Sequence, residues 1–211
     1  TGQSLLEHFE KLDKADVFNV GTPRFPVQYV IRPKTEEFHD FRGYAGKIYG
    51  GELSVGDDIM VLPSMTKSKI KDIYFYDQKY QTASRRSSVT ITLENDINVS
   101  RGDMIVRDGD LPTIDKEFTA NVCWMDAKHL VPGAKYIVQH GVNKVLGKVE
   151  KINHKIHPEY SGIEKDVTQL GMNDIASVTF KLNKPIFYDQ FKNHRTNGSF
   201  ILIDTQSTNT V

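Results

Sequence analysis

The sequence predicts an all-β protein: two consecutive small antiparallel β-barrels preceded by a short helix. Three observations predict it. Helical spacing of apolar residues is confined to the first dozen or so positions. From Phe25 onward the apolar period is two, in short runs separated by glycine-rich turns. A glycine- and proline-containing break near position 110 divides these runs into two series. The chain has 211 residues, enough for two domains of about 100 residues each.

The helix comes first. Ser4-Leu5-Leu6-Glu7 is a capping box, in which the Ser hydroxyl and the Glu carboxylate each satisfy a free backbone N–H. Leu5, Phe9 and Leu12 then fall on one face with Leu6 beside them, and the pattern stops near Asp13. One short helix cannot bury that face alone. Residues 1–21 are therefore read as a terminal helix and linker. The chain opens on this helix without an initiator Met, so the expected parent is a longer protein whose front has been removed.

The first series, residues 22–109, begins with a strand at Pro26–Arg32. Gly43, Gly46, Gly50, Gly51 and Gly56 then mark turns and close crossings. Strands follow at Asp58–Leu62, Ser68–Tyr76, Ser88–Leu93 and Met104–Val106. Many short strands with such turns predict a closed barrel, which removes exposed edges. Asp108 to Asp115 reads as a linker.

The second series, residues 110–211, starts with Phe118, Ala120, Val122 and Trp124 on one strand face. Lys135–Gln139 and Lys144–Val149 are strands joined near Gly141. Ile175–Leu182 and Ser199–Asp204 complete the series, with Asn197-Gly198 as a tight-turn signal. Residues 158–173 read as a long polar loop, with room for one helical turn.

Composition narrows the function classes. Lys plus Arg and Asp plus Glu number 27 each, without the basic surplus of a domain held on nucleic acid by phosphates. No apolar run approaches the ~20 residues that span a membrane, and the start has no signal-peptide pattern. The single cysteine, Cys123, cannot form an internal disulfide. It reads as a small half-buried strand residue in a reducing cytoplasm.

No motif for catalysis or nucleotide binding stands up. Gly141 to Lys148 places five residues between its glycines and lacks the Ser or Thr that follows a Walker lysine. It reads as a hairpin. Asn143-Lys144 and Asn183-Lys184 lack the Asp of a guanine-recognition motif and read as polar strand ends. His154 and His157 form a weak metal pair, since spacing of three puts them on opposite sides of a strand; an exposed polar loop is the plainer reading. Arg85-Arg86-Ser87-Ser88 reads as a solvated hairpin tip. Lys67, Lys69 and Lys71 alternate as a possible basic stripe, and Tyr74, Phe75 and Tyr76 read as barrel core and rim.

An ordered set of blocks carries a resemblance. It comprises Ser4-Leu5-Leu6-Glu7-His8, Phe25-Pro26-Val27-Gln28-Tyr29-Val30, Phe41-Arg42-Gly43-Tyr44-Ala45-Gly46, Val55-Gly56-Asp57-Asp58, Val61-Leu62-Pro63-Ser64 and Ile97 to Asp103. In the second half come Val122-Cys123-Trp124-Met125 and Gly198-Ser199-Phe200-Ile201-Leu202-Ile203-Asp204. The chain thereby resembles the large, GTP-binding subunit of bacterial sulfate adenylyltransferase (ATP sulfurylase), over almost its whole length. That family resembles elongation factor Tu, with a GTPase domain followed by two β-barrels.

The resemblance implies that this chain is the barrel region, translation-factor domains II and III, with no catalytic, cofactor or metal residue of its own. GTP and magnesium would belong to the GTPase domain in cis. A small catalytic subunit would make adenylyl sulfate from ATP and sulfate in the cytoplasm, driven by GTP hydrolysis. Some relatives carry a fused adenylylsulfate kinase. Phe41, Arg42 and Tyr44 at one hairpin, and Arg195 and Asn197 near the last turn, are the candidate docking residues. The alternative is a pair of tRNA-binding barrels from an elongation-factor-like GTPase, favoured by the lysine stripe. Neutral charge and the Asn197-Gly198-Ser199-Phe200 ending speak against it.

Overall fold

The structure, a computed structural model, describes residues 2–11, 21–33, 41–159 and 162–211. The capping box forms as its chemistry dictates. The Ser4 N–H donates to Glu7 Oε2 at 2.9 Å and the Glu7 N–H donates to Ser4 Oγ at 3.3 Å. Helix α1 (Leu5–Lys11) follows, with Leu5, Leu6 and Phe9 all exposed. Leu12 and Asp13, expected to end the pattern, lie outside the described residues.

The first barrel contains β1 (Arg24–Ile31), β2 (Gly43–Lys47), β3 (Leu53–Ser54), β4 (Asp58–Leu62), β5 (Thr66–Phe75), β6 (Gln78–Tyr80), β7 (Thr82–Ala83), β8 (Ser88–Leu93) and β9 (Met104–Arg107). Its main sheet runs β4-β9-β1-β2-β8-β5, and a β4–β5 pairing closes it into a six-stranded ring. Strand β5 makes the closure. Its first half pairs with β4, and its second half pairs with β8 across a register shift between Ile70 and Asp72. Such a bulge bends the strand, which lets one strand serve two neighbours at a barrel corner. Phe25, Val27, Ile59, Val61, Ile70, Ile73, Ile91 and Ile105 fill the interior. At Gly46 a Cβ would stand 2.5 Å from the Pro26 carbonyl oxygen, so only glycine allows β1 and β2 to cross this closely.

The second barrel contains β10 (Thr113–Cys123), β11 (Lys135–His140), β12 (Asn143–His157), β13 (Gly162–Glu164), β14 (Ile175–Tyr188) and β15 (Ile201–Asp204). The order is β10-β14-β12-β11-β15, with β13 on β12, and every pairing is antiparallel. Strands β10 and β15 are the two edges of this sheet. Residues 209–211 fold back along β15: the Asp204 N–H donates to the Asn209 carbonyl at 2.9 Å, and the Val211 N–H to the Leu202 carbonyl at 3.0 Å. Phe118 stacks on Phe180 at 5.4 Å and meets Phe200 edge-on at 5.1 Å. Trp124 is buried against Tyr136, and its indole N–H donates to the Lys128 carbonyl at 2.8 Å.

Several expectations need correction. The strand read as Ile175–Leu182 continues to Tyr188, through Pro185. A register shift opposite, between Asp115 and Glu117, leaves residues 182–185 outside the β10 ladder, so proline's missing N–H costs no hydrogen bond there. The described part of 158–173 holds strand β13 and the Leu130–Leu170 bridge rather than a helical turn. His154 and His157 lie in β12, not in a loop. Cys123 is exposed rather than half-buried. Asn197-Gly198 is a turn, but neither residue has positive φ. Gly198 is needed for space, because a Cβ would sit 2.5 Å from the Phe191 Cα.

Candidate coupling site between the barrels

The barrels meet on a surface built from strand alternation. In β4 and β9, Ile59, Val61 and Ile105 point into the first barrel. Met60, Leu62, Met104 and Val106 therefore point outward. They are nevertheless buried, in a cluster with Phe187 of β14. An apolar run with both faces buried loses its alternation. Ile59-Met60-Val61-Leu62 and Met104-Ile105-Val106 are such runs. That signal could have located this interface in the sequence, and the sequence reading passed over it.

A polar hub sits beside this cluster. Arg24, at the head of β1, is 2% exposed. Its Nε and Nη2 donate to the two carboxylate oxygens of Asp189 at 2.9 and 3.0 Å. Its Nη1 donates to the Asp110 carbonyl at 2.8 Å. One guanidinium thus joins the first barrel, the connecting segment and the end of β14 with the planar, two-pronged geometry peculiar to arginine. Asn197 completes the hub. Its side-chain amide donates to Asp189 at 2.8 Å and to the Phe187 carbonyl at 3.0 Å. Burial works against the Asp189 carboxylate, but the hydrogen bonds from Arg24 and Asn197 outweigh it and hold its pKa below the ordinary range. A second stitch lies at the other side, where the Asn143 amide donates to the Gly102 carbonyl at 2.7 Å.

Two hollows flank these elements. One of about 580 Å³ lies at the junction, among Thr22, Arg24, Asp110, Asp189, Lys192 and His194. The other, about 760 Å³, is a groove along β10 and β15 lined by Phe118, Val122, Met125, Tyr188 and Phe200, with Cys123 at one end.

The candidate docking residues separate. Phe41 meets Tyr74 edge-on at 5.8 Å. Arg42 pairs with Asp96 and donates to the Ile97 carbonyl. Tyr44 is buried, and its hydroxyl donates to the same carbonyl at 3.2 Å. Arg195 lies over the Phe191 ring at 5.9 Å. Asn197 is buried in the hub, so its polar groups serve the fold. Phe41, Arg42 and Arg195 alone keep side chains at or near the surface, and they sit on different barrels.

The other candidates resolve into ordinary structure. Lys67 pairs with Asp108 at 2.8 Å and Lys69 with Asp58 at 2.7 Å, while Lys71 falls in the β5 register shift. The stripe is therefore largely neutralised. Phe75 and Tyr76 are exposed beside the β5–β6 turn, not core. His157 Nε2 faces Glu164 at 3.0 Å, and no cluster of three or more metal-ligating side chains occurs among the described residues. The Gly141 to Lys148 stretch does not form a Walker-type loop. Gly141 to Lys148 forms the β11–β12 hairpin, and Gly147 is packed so that a Cβ would meet Val138 at 2.7 Å. That stretch offers no cradle for phosphates. Among the described residues no helix is long and apolar enough to cross a membrane.

Residues 117–211 match the family model for the GTP-eEF1A C-terminal domain-like region. Sulfate adenylyltransferase subunit 1 of Alteromonas mediterranea is 36% identical over 211 residues, covering all of this chain and 44% of that protein. The bifunctional enzyme CysN/CysC of Mycobacterium tuberculosis is 37% identical, again over all of this chain but 34% of its own length. The chain thus spans less than half the length of these relatives. A crystal structure of sup35 complexed with GDP superposes with a TM-score of 0.79 at 16% identity, over all of this chain and 50% of that one. That likeness concerns the fold.

Proposed function

Since this chain belongs to the sulfate adenylyltransferase subunit 1 family, we propose that it is the non-catalytic barrel region through which a GTPase domain acts on a small catalytic subunit. GTP and magnesium sit on the GTPase domain of the same polypeptide. The small subunit forms adenylyl sulfate and pyrophosphate from ATP and sulfate, in the cytoplasm. The observation that carries this reading is similarity to subunit 1 along the whole chain, joined to the absence of any nucleotide cradle in the Gly141–Lys148 stretch. The barrels have the one property a transmitter needs, a shared buried anchor. A change in one domain biases a partner only if the surfaces between them bind its states differently. In this reading Phe41, Arg42 and Arg195, whose side chains lie at or near the surface, contact that partner.

The test uses full-length subunit 1 with the small subunit. The two copurify, and GTP raises the rate of adenylyl sulfate synthesis. An undiminished rate without GTP removes the coupling role. Arg42→Ala and Arg195→Ala weaken subunit affinity; unchanged affinity removes those residues from the interface. This chain alone gives no adenylyl sulfate above blank.

The match of residues 117–211 to an elongation-factor-type region supports a second reading, tRNA-binding barrels. Against it stand the zero net charge and the paired lysines of β5. Tight, salt-sensitive retention of tRNA in filter binding would reverse the ranking.

A further inference from the structure

The hub holds two histidines that the coupling role does not use. His194 is 2% exposed and His140 is 6% exposed. The Asn197 N–H donates to His194 Nδ1 at 3.1 Å, so that nitrogen is an acceptor and the ring proton is on Nε2. His194 Nε2 is buried without a well-formed hydrogen bond. It lies against Tyr49 and Gly50 of the first barrel, where a Cβ on Gly50 would come within 3.0 Å of it. On β11, His140 Nε2 is 2.8 Å from the Asn197 carbonyl. A carbonyl only accepts, so this ring also carries its proton on Nε2. Both backbone groups of Asn197 are thus held by imidazoles, while its side chain holds Asp189 against Arg24.

We propose that His194 and His140 make the junction an acid-released latch, which fixes the two barrels relative to each other while both rings are neutral and frees them when the rings take up protons. A proton on His194 Nδ1 would face the Asn197 N–H, donor against donor. Residues 194–197 must then shift, which withdraws the Asn197 amide from Asp189 and from the Phe187 carbonyl. His194 must also carry its charge while buried against the first barrel, with no well-formed hydrogen bond from Nε2 to a protein acceptor.

The charges facing the pair do not cancel this cost. Asp189, at the end of β14, attracts a proton to both rings. Its carboxylate is already forked onto Arg24 of β1, whose own charge repels one from His194. Lys192 and Asp110 of opposite sign share the hollow, and the Tyr49 backbone favours a proton on His194. Burial dominates, and it lowers the pKa of each ring below 6.5. The sign follows. With folded values below the unfolded one, the neutral, latched form is stable above the unfolded pKa and weakens as pH falls through it.

The test places one spin label on the exposed native Cys123 of the second barrel and one on a Lys71→Cys substitution in the first. At pH 8 the distance distribution has a single narrow peak. At pH 5 a second, broader population appears while far-ultraviolet circular dichroism keeps its strand signal. The double variant His194→Asn and His140→Gln retains a neutral acceptor and a neutral donor toward Asn197, and it keeps the narrow peak at pH 5. A parent distribution unchanged to pH 5, or the same broadening in the double variant, overturns the latch. Should the double variant fail to fold, imidazole nitrogen NMR of the parent decides: His194 must be the Nε2–H tautomer at pH 8, and protonation at or above 6.5 overturns the proposal.

Discussion

The two barrels solve the same edge problem differently. In the first, β5 pairs with both β4 and β8, and six strands close on themselves. In the second, five strands follow one another from β10 to β15, and a groove separates the two edges. The difference lies in one strand. The bulge at Ile70–Asp72 gives β5 two partners, whereas β15, with four residues, spans only Ile201–Asp204. Closure seals the first core on every side. The second core is sealed by aromatic packing and by the fold-back of residues 209–211.

The largest expected effect breaks the joint between the two. Arg24→Met leaves Asp189 without its fork, and loss of one partner of a buried pair costs about 3–5 kcal/mol. Denaturant unfolding followed at Trp124, in the second barrel, and by far-ultraviolet dichroism over both barrels should then give two separated transitions instead of one. Coincident transitions would mean that the apolar cluster around Phe187 suffices to couple them.

Next come the cores. Phe25→Ala in the closed barrel should cost about 3–5 kcal/mol, the usual range for a buried aromatic. Phe118→Ala should cost less, because Phe118 borders the groove and the cavity can fill with water. Equal losses would show that the groove is shut in solution. The glycines test the backbone of each barrel. Gly46→Ala meets the Pro26 carbonyl and Gly198→Ala meets the Phe191 backbone, both at 2.5 Å. Each should lose about 1–3 kcal/mol, as overpacked sites do, read as a fall in the denaturant midpoint. Hydrogen exchange gives the smallest difference and the finest map. Alternate β10 amides, those facing the groove, should exchange about tenfold or more faster than those bonded to β14. Uniform protection along β10 would mean that its edge is covered.

Much of this was legible in residue order. The capping box at Ser4 and Glu7 is a local device and forms as written. The period-two runs give the strands, since alternation needs only one buried face. Legibility failed where the structure depends on a partner far along the chain. The strand read as ending at Leu182 runs on through Pro185 to Tyr188, and only the register shift at Asp115–Glu117 makes that proline harmless. Asn197 looked like a surface turn residue. It is buried because Phe187, Asp189, His140 and His194 converge on it. Arg24 carried no local signal, as its partners stand 86 and 165 residues away.

By itself, the sequence determined the class of this protein, its two barrels and its helical lead-in. Each of these follows from spacing between neighbours, which propensity and periodicity record. Tertiary structure alone decided which barrel closes, which faces of β4 and β9 lie against Phe187, and which polar residues become the joint. Those outcomes depend on burial and on charge pairing between distant segments, and a side chain's desolvation is set by what folds over it.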